Sequence, residues 1–162
     1  MWVTGQMALT GKQIVLGVTG SIAAYKAVEL VRALTTAGAA VRVVMTASAQ
    51  RFVTPLTFAT LSRQAVMTDP VTLDAEVKIQ HIAAADEADL LLVAPATANS
   101  IAKFAQGLAD DLLSTLFLAW TRPVVLAPAM DAAMYRHPAV QENLARLRNW
   151  GVRLVGPATG DL

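Results

Sequence analysis

The chain has no cysteine in its 162 residues, which excludes disulfides, cysteine-ligated zinc and a thiol nucleophile within this stretch. Histidine is scarce. His81 and His137 are the only two, far apart in sequence, so a histidine-rich metal site has no support and no metal is expected. Excess charge of either sign is also lacking. Thirteen basic residues against twelve acidic ones leave a net +1, which gives no electrostatic case for nucleic acid or a membrane surface. Long hydrophobic runs are missing as well. Stretches such as Leu112-Leu113-Ser114-Thr115-Leu116-Phe117-Leu118-Ala119-Trp120 are interrupted, and none approaches the roughly 18 residues of a spanning helix. Residues 1–12 lack a basic region followed by an apolar core, so no secretory signal is expected and a cytoplasmic protein is the default.

Apolar residues are what the chain has in plenty, at 55% with a mean hydropathy of +0.48. Such a length suits one domain with a sizeable core. The apolar share is high for a soluble monomer. With no spanning segment to absorb it, burial between subunits of an oligomer is the expected outlet.

Short apolar runs alternate with helical patterns. Strands are predicted over 14–18, 41–45, 89–94, 124–127 and 152–155, with a weaker one near 65–67. Helices are predicted over 22–36, 54–61, 79–88, 101–106, 110–120 and 139–150. In the first of these, Ile22, Ala23, Ala27, Leu30, Val31 and Leu34 fall near one face, and Gly38 follows as a stop signal. Pro95 and Pro128 are expected to end their strands, because proline cannot donate to a ladder. The strands are continuously apolar rather than alternating, as expected when both faces are covered. The pattern predicts an α/β fold, a single domain built on a parallel sheet. Val93-Ala94-Pro95-Ala96 and Leu126-Ala127-Pro128-Ala129 echo one another, which suggests neighbouring strands ending at the ligand-binding edge of that sheet.

Chemistry-bearing residues gather after these strands. Gly17-Val18-Thr19-Gly20-Ser21 reads as a strand–turn–helix able to hold a phosphate, or as a tight turn with a serine cap. It is not the G-x-G-x-x-G fingerprint. Thr46, Ala47 and Ser48 stand where a dinucleotide site wants an acid, so a phosphate-bearing ligand other than NAD is preferred. In Pro95-Ala96-Thr97-Ala98-Asn99, Thr97 or Asn99 could cap a helix or face a ligand, and Lys103 shares a face with Asn99. Asp110 and Asp111 open a helix, where carboxylates complement the dipole. His81 is a candidate proton-transfer group, since histidine titrates near neutral pH. His137, in a turn before a helix, has a weaker case. Pro128-Ala129-Met130-Asp131-Ala132-Ala133-Met134-Tyr135 reads as a pocket rim, with methionines suited to a flat ring or simply to a core.

Together these segments resemble the flavin-containing cysteine decarboxylases, most closely the phosphopantothenoylcysteine-acting group. The resemblance rests on Gly20-Ser21-Ile22-Ala23-Ala24-Tyr25-Lys26, His81-Ile82, the Pro95 to Asn99 motif with Lys103, the run Gly107-Leu108-Ala109-Asp110-Asp111-Leu112-Leu113-Ser114, and the Pro128 to Tyr135 motif, which occur in family order over residues 12–162. It implies a Rossmann-like (flavodoxin-like) three-layer fold that binds FMN and assembles as trimers or as dodecamers of trimers. By the same analogy Gly20, Ser21, Thr46 and Ser48 lie at the FMN phosphate. Pro95, Ala96, Thr97, Ala98, Ser114, Ala129 and Met130 belong to the cofactor site, and His81, Asn99 and Asp131 are catalytic.

The implied reaction oxidises the cysteine moiety of 4′-phosphopantothenoylcysteine to a thioaldehyde, loses carbon dioxide, and after reduction gives 4′-phosphopantetheine for coenzyme A synthesis. Alternatives are decarboxylation of a C-terminal peptidyl cysteine in lantibiotic maturation, or a non-catalytic FMN-binding regulatory subunit. A flavin prenyltransferase fits less well, because that group lacks the Pro-Ala-Met motif. Two departures stand out. Asp131 occupies the family's usual asparagine position, where an amide can donate to a substrate carboxylate and an ionised acid repels it. The family pattern also continues past Gly160-Asp161-Leu162 into a cysteine-bearing flap and, in bifunctional members, a synthetase domain. The expectation is an N-terminal extension (1–12) and an FMN-binding decarboxylase domain (13–162) truncated before that flap.

Overall fold

The computed structural model describes residues 8–69 and 87–158. Six parallel strands form its sheet: β1 (Gln13–Val18), β2 (Ala40–Met45), β3 (Met67–Thr68), β4 (Leu90–Ala96), β5 (Val124–Pro128) and β6 (Arg153–Leu154). Their order is β3-β2-β1-β4-β5-β6, the doubly wound Rossmann arrangement. The helices are α1 (Ala24–Thr36), α2 (Pro55–Ser62), α3 (Ala98–Gln106), α4 (Leu112–Ala119), α5 (Ala132–Arg136) and α6 (Pro138–Asn149).

Because side chains alternate across a strand, the apolar runs feed two cores. Ile14, Leu16, Val18, Val41, Val43 and Met45 pack with Ala27 and Val31 of α1 and Phe58 of α2. On the other face Val15, Val44, Leu91, Val93 and Leu126 meet Ile101, Phe104, Leu113, Leu116, Leu144 and Leu147 of α3, α4 and α6. The result is the three-layer fold that the continuous apolar strands imply. Phe104 and Phe117 stack with ring centroids 4.3 Å apart, fastening α3 to α4.

Four expectations need correction. The strand ending at Ala94 in the sequence pattern continues through Pro95 to Ala96, with a register shift between Val93 and Ala96. Pro95 donates nothing, but its carbonyl accepts from Thr19, and the Ala96 carbonyl accepts from the Ala129 amide at 3.0 Å. Neighbouring loops hold the segment there in place of a regular ladder. Helix α1 begins at Ala24 rather than Ile22, which leaves Ile22 56% exposed instead of buried. Helix α3 begins at Ala98, three residues before the apolar pattern suggests, because Thr97 caps it. The short helix α5, where no helix is predicted, lies inside the segment read as a pocket rim. The predicted 79–88 helix falls almost wholly outside the described residues.

Candidate functional site

The connections leaving β1 and β4 run to opposite faces of the sheet, which opens a crevice at the carboxyl ends of these adjacent strands. The loop after β1 is fixed from below. Thr19, 1% exposed, donates its hydroxyl to the Pro95 carbonyl at 2.6 Å and accepts from the Thr97 amide at 3.1 Å. Beside it the loop after β2 is bound back by the Thr46 amide, which donates to the Val18 carbonyl at 3.1 Å.

Gly20 explains how closely these two loops approach. A Cβ on this residue would lie 2.3 Å from Ser48 Cβ and 3.0 Å from the Ser48 carbonyl carbon. Only glycine leaves that space open. Ser21 Oγ accepts from the Ala23 amide at 3.2 Å and Thr46 Oγ1 from the Ala49 amide at 3.2 Å, so both hydroxyls are oriented by their own turns.

A cavity of ≈ 600 Å³ sits over this cradle, within the usual size for a cofactor-sized ligand. Gly20, Ser21, Thr46 and Ser48 form one end. Thr97, Ala98 and Asn99 enter from the start of α3, and Ala129, Met130 and Met134 supply an apolar wall after β5. Thr97 Oγ1 accepts from the Ser100 amide at 3.3 Å, so the cap and the cavity lining are the same residue.

Charge is concentrated at the α3–α4 side. Lys103 Nζ lies 2.8 Å from one Asp110 oxygen and 2.9 Å from Asp111 Oδ2. Asp111 Oδ1 accepts from the Ser114 amide at 2.7 Å while Ser114 Oγ accepts from the Asp111 amide at 3.2 Å, a reciprocal capping box at the start of α4. Burial alone would raise the Asp111 carboxyl, but hydrogen bonds from Lys103 and Ser114 outweigh it and hold Asp111 below the ordinary carboxylate range. Burial likewise works against the Lys103 ammonium, and its bonds to Asp110 and Asp111 prevail and hold it above the ordinary lysine range. Asp69, at the end of β3, accepts from the Leu112 amide at 2.7 Å.

The structure therefore brings together Gly20, Ser21, Thr46, Ser48, Thr97, Ala98, Asn99, Ala129 and Met130 from the sequence-predicted set. Pro95 and Ala96 are buried in β4 beneath the cavity rather than lining it. Ser114, 1% exposed, faces its cap. Asp131 is exposed at the start of α5, where its Oδ1 accepts from the Ala133 amide at 2.7 Å. His81 lies outside the described residues. His137 accepts from the Ala139 amide at 3.2 Å as the cap of α6. Sequence reasoning overlooked Asp69 and Ser100 and gave Ala47 no role of its own, and all three also line the cavity. Asp69 could have been noticed, since it directly follows a strand and strand ends collect at one edge.

Hydroxyls beside the start of α1 suit a phosphate, and the alanine and methionine wall suits a flat ring. The residues present thus fit a cofactor that carries both, and the Gly20 cradle would be filled by any larger side chain.

A Rossmann-type α/β domain with a cradle for a phosphate-bearing ring at the carboxyl edge is the class these features define. The chain belongs to the Flavoprotein family, whose profile matches residues 4–162. It is 51% identical over 154 residues to the coenzyme A biosynthesis bifunctional protein CoaBC of Bacillus subtilis (strain 168), which covers 95% of this chain and 38% of that relative. The chain therefore spans well under half of that relative's length. Among solved structures it is similar to the FMN-dependent cysteine decarboxylase SpaF, at 38% identity and a TM-score of 0.81 over 91% of this chain and 85% of that one. It is also similar to a PPC decarboxylase variant complexed with pantothenoylaminoethenethiol, at 29% identity and a TM-score of 0.74 over 91% and 82%.

Proposed function

We propose that this chain is the FMN-binding domain of a carboxy-lyase that converts 4′-phosphopantothenoylcysteine to 4′-phosphopantetheine in coenzyme A synthesis. The observation that carries this reading is that the Gly20–Ser48 cradle and the Ala129–Met130 wall line one and the same cavity. The 51% identity to a bifunctional relative supports the choice of substrate. Ser21, Thr46 and Ser48 would hold the FMN phosphate through neutral donors. Thr97, Ala98, Ala129 and Met130 would line the ring. Pro95, Ala96 and Ser114 support that lining from beneath, as their burial suggests.

Bound FMN would supply the two-electron oxidation of the substrate cysteine and the later return of those electrons. The protein's own part is positioning and proton transfer. Asn99, exposed at the rim, can donate its amide to the substrate carboxylate. Asp131, next in sequence to the cavity-lining Met130, has its carboxylate oriented by the Ala133 amide and is assigned to the substrate side. His81 is assigned the proton from the cysteine thiol during oxidation. Once the cysteine is a thioaldehyde, its C=S group accepts the electron pair released when carbon dioxide leaves. A homo-oligomer, in trimers or dodecamers of trimers, and a cytoplasmic setting belong to this reading. Exposed Ile22, Tyr25, Phe52 and Leu56 support the former. Among the described residues no helix is long and apolar enough to cross a membrane. A synthetase domain as partner is supported by the bifunctional relative.

The likeness to SpaF favours a second reading, oxidative decarboxylation of a peptide's C-terminal cysteine. Carbon dioxide release from 4′-phosphopantothenoylcysteine, compared with release from a cysteine-ended peptide, separates the two. Faster release from the phosphorylated substrate is expected, and release from the peptide alone would transfer the assignment.

A further inference from the structure

Lys103 is the only cation among the described residues lining the cavity, and both its partners line the cavity as well. Its side chain is 18% exposed, like that of Asp111, while that of Asp110 is 66% exposed. The three form one wall joining the second turn of α3 to the start of α4, since Asp110 and Asp111 close the connection that follows Gly107. Ser21 and Ser48 line the same cavity.

Two consequences follow from removing the ammonium. Adjacent carboxylates would repel one another, and the capping box that fixes the start of α4 would lose its counter-charge. Helix α4 also carries Leu113, which reaches over Gly17 of β1: a Cβ at Gly17 would lie 2.6 Å from Leu113 Cδ1. A shift of α4 therefore bears on the strand that delivers Gly20. The uncompensated wall would also add negative charge to the cavity that Ser21 and Ser48 line.

We propose that Lys103 is a positioning residue for the flavin site: its one ammonium ties Asp110 and Asp111 into a single wall and cuts their charge from −2 to −1, and through them it permits a dianionic ligand to bind. The proposal rests on the FMN reading above. It assigns Lys103 an effect through its two acidic partners rather than a step in the chemistry.

The test compares the parent chain with Lys103→Met, Lys103→Arg and Lys103→Met/Asp110→Asn, titrating each with FMN and with riboflavin by flavin fluorescence. Lys103→Met is expected to weaken FMN by about tenfold and riboflavin by clearly less, because only FMN carries the phosphate. Lys103→Arg and the double variant are expected within about twofold of the parent. Equal losses for both flavins, or no rescue by Asp110→Asn, would overturn the proposal, since a merely structural lysine would behave that way. Hydrogen exchange of the Leu112 and Ser114 amides, measured without flavin, reads the wall itself. Faster exchange in Lys103→Met is expected, with recovery in the double variant, and unchanged exchange would overturn the proposal. If the parent bound no flavin, the FMN reading would fail, and the exchange result would still decide whether Lys103 closes the wall.

Discussion

Thr19 and Thr97, 78 residues apart in sequence, are joined by a 3.1 Å hydrogen bond from the Thr97 amide to the Thr19 hydroxyl. The same hydroxyl donates to the Pro95 carbonyl at 2.6 Å. One buried side chain thus links the loop that carries Gly20 to the strand end that starts α3. Thr19→Val keeps the shape and removes both bonds, leaving the Thr97 amide without this acceptor. A loss of about 1–3 kcal/mol is expected, measured by urea unfolding, together with weaker FMN binding.

Gly20→Ala tests the cradle. The added Cβ would meet Ser48 Cβ at 2.3 Å and its backbone at 3.0 Å, so one of the two loops has to move. The sheet lies below this contact and keeps its cores. Far-ultraviolet circular dichroism is expected to be unchanged while bound flavin per protein falls by about tenfold or more. Full flavin content in Gly20→Ala would show that the loops adjust without consequence.

Acid and base should each weaken the α3–α4 wall, in opposite senses for its two partners. Asp111 is held low in the folded state, because its bonds from Lys103 and Ser114 outweigh the effect of burial. Its contribution to stability is present above the ordinary carboxylate value of about 3.9 and is lost as pH falls through the folded value. Lys103 is held high, because Asp110 and Asp111 outweigh burial. Its contribution is present below the ordinary lysine value of about 10.4 and is lost as pH rises through the folded value. Asp111→Asn retains a capping side chain and removes the charge. Its stability, followed by thermal unfolding across the acid range, should depend on pH less steeply than that of the parent.

Asp131 offers the sharpest test at the substrate side. Asparagine can accept the Ala133 amide as the carboxylate does, so Asp131→Asn should leave α5 in place. It would replace a repelling group with a potential donor beside the substrate carboxylate. Flavin reduction by substrate is expected to quicken by about tenfold or more, read by rapid mixing. An unchanged rate would show that Asp131 does not face that carboxylate.

Much of this architecture was legible from pattern. The continuous apolar runs at Ile14 to Val18 and Leu90 to Val93 announced strands buried on both faces, and the cores bear this out. The paired Ala-Pro-Ala endings correctly implied neighbouring strands, since β4 and β5 pair through Ala96 and Pro128. What local pattern missed was tertiary. Pro95 stays in its strand because Thr19 binds its carbonyl, a partner no local rule supplies. Ile22 sits outside the core because α1 starts two residues later than its apolar spacing suggests. Asp69 reaches the cavity only because β3 lies beside β2 at the same sheet edge. Ser114 is engaged in the capping box at the start of α4, a partnership that the sequence spacing did not announce.

The central claim is that this cavity holds FMN against a cysteine-bearing substrate. The most direct test loads the chain with FMN, mixes it anaerobically with 4′-phosphopantothenoylcysteine, and follows visible flavin absorbance together with carbon dioxide. The account predicts a loss of oxidised-flavin absorbance with carbon dioxide release, and a marked slowing of both in His81→Asn. Unchanged absorbance with no carbon dioxide from FMN-loaded parent protein would contradict it.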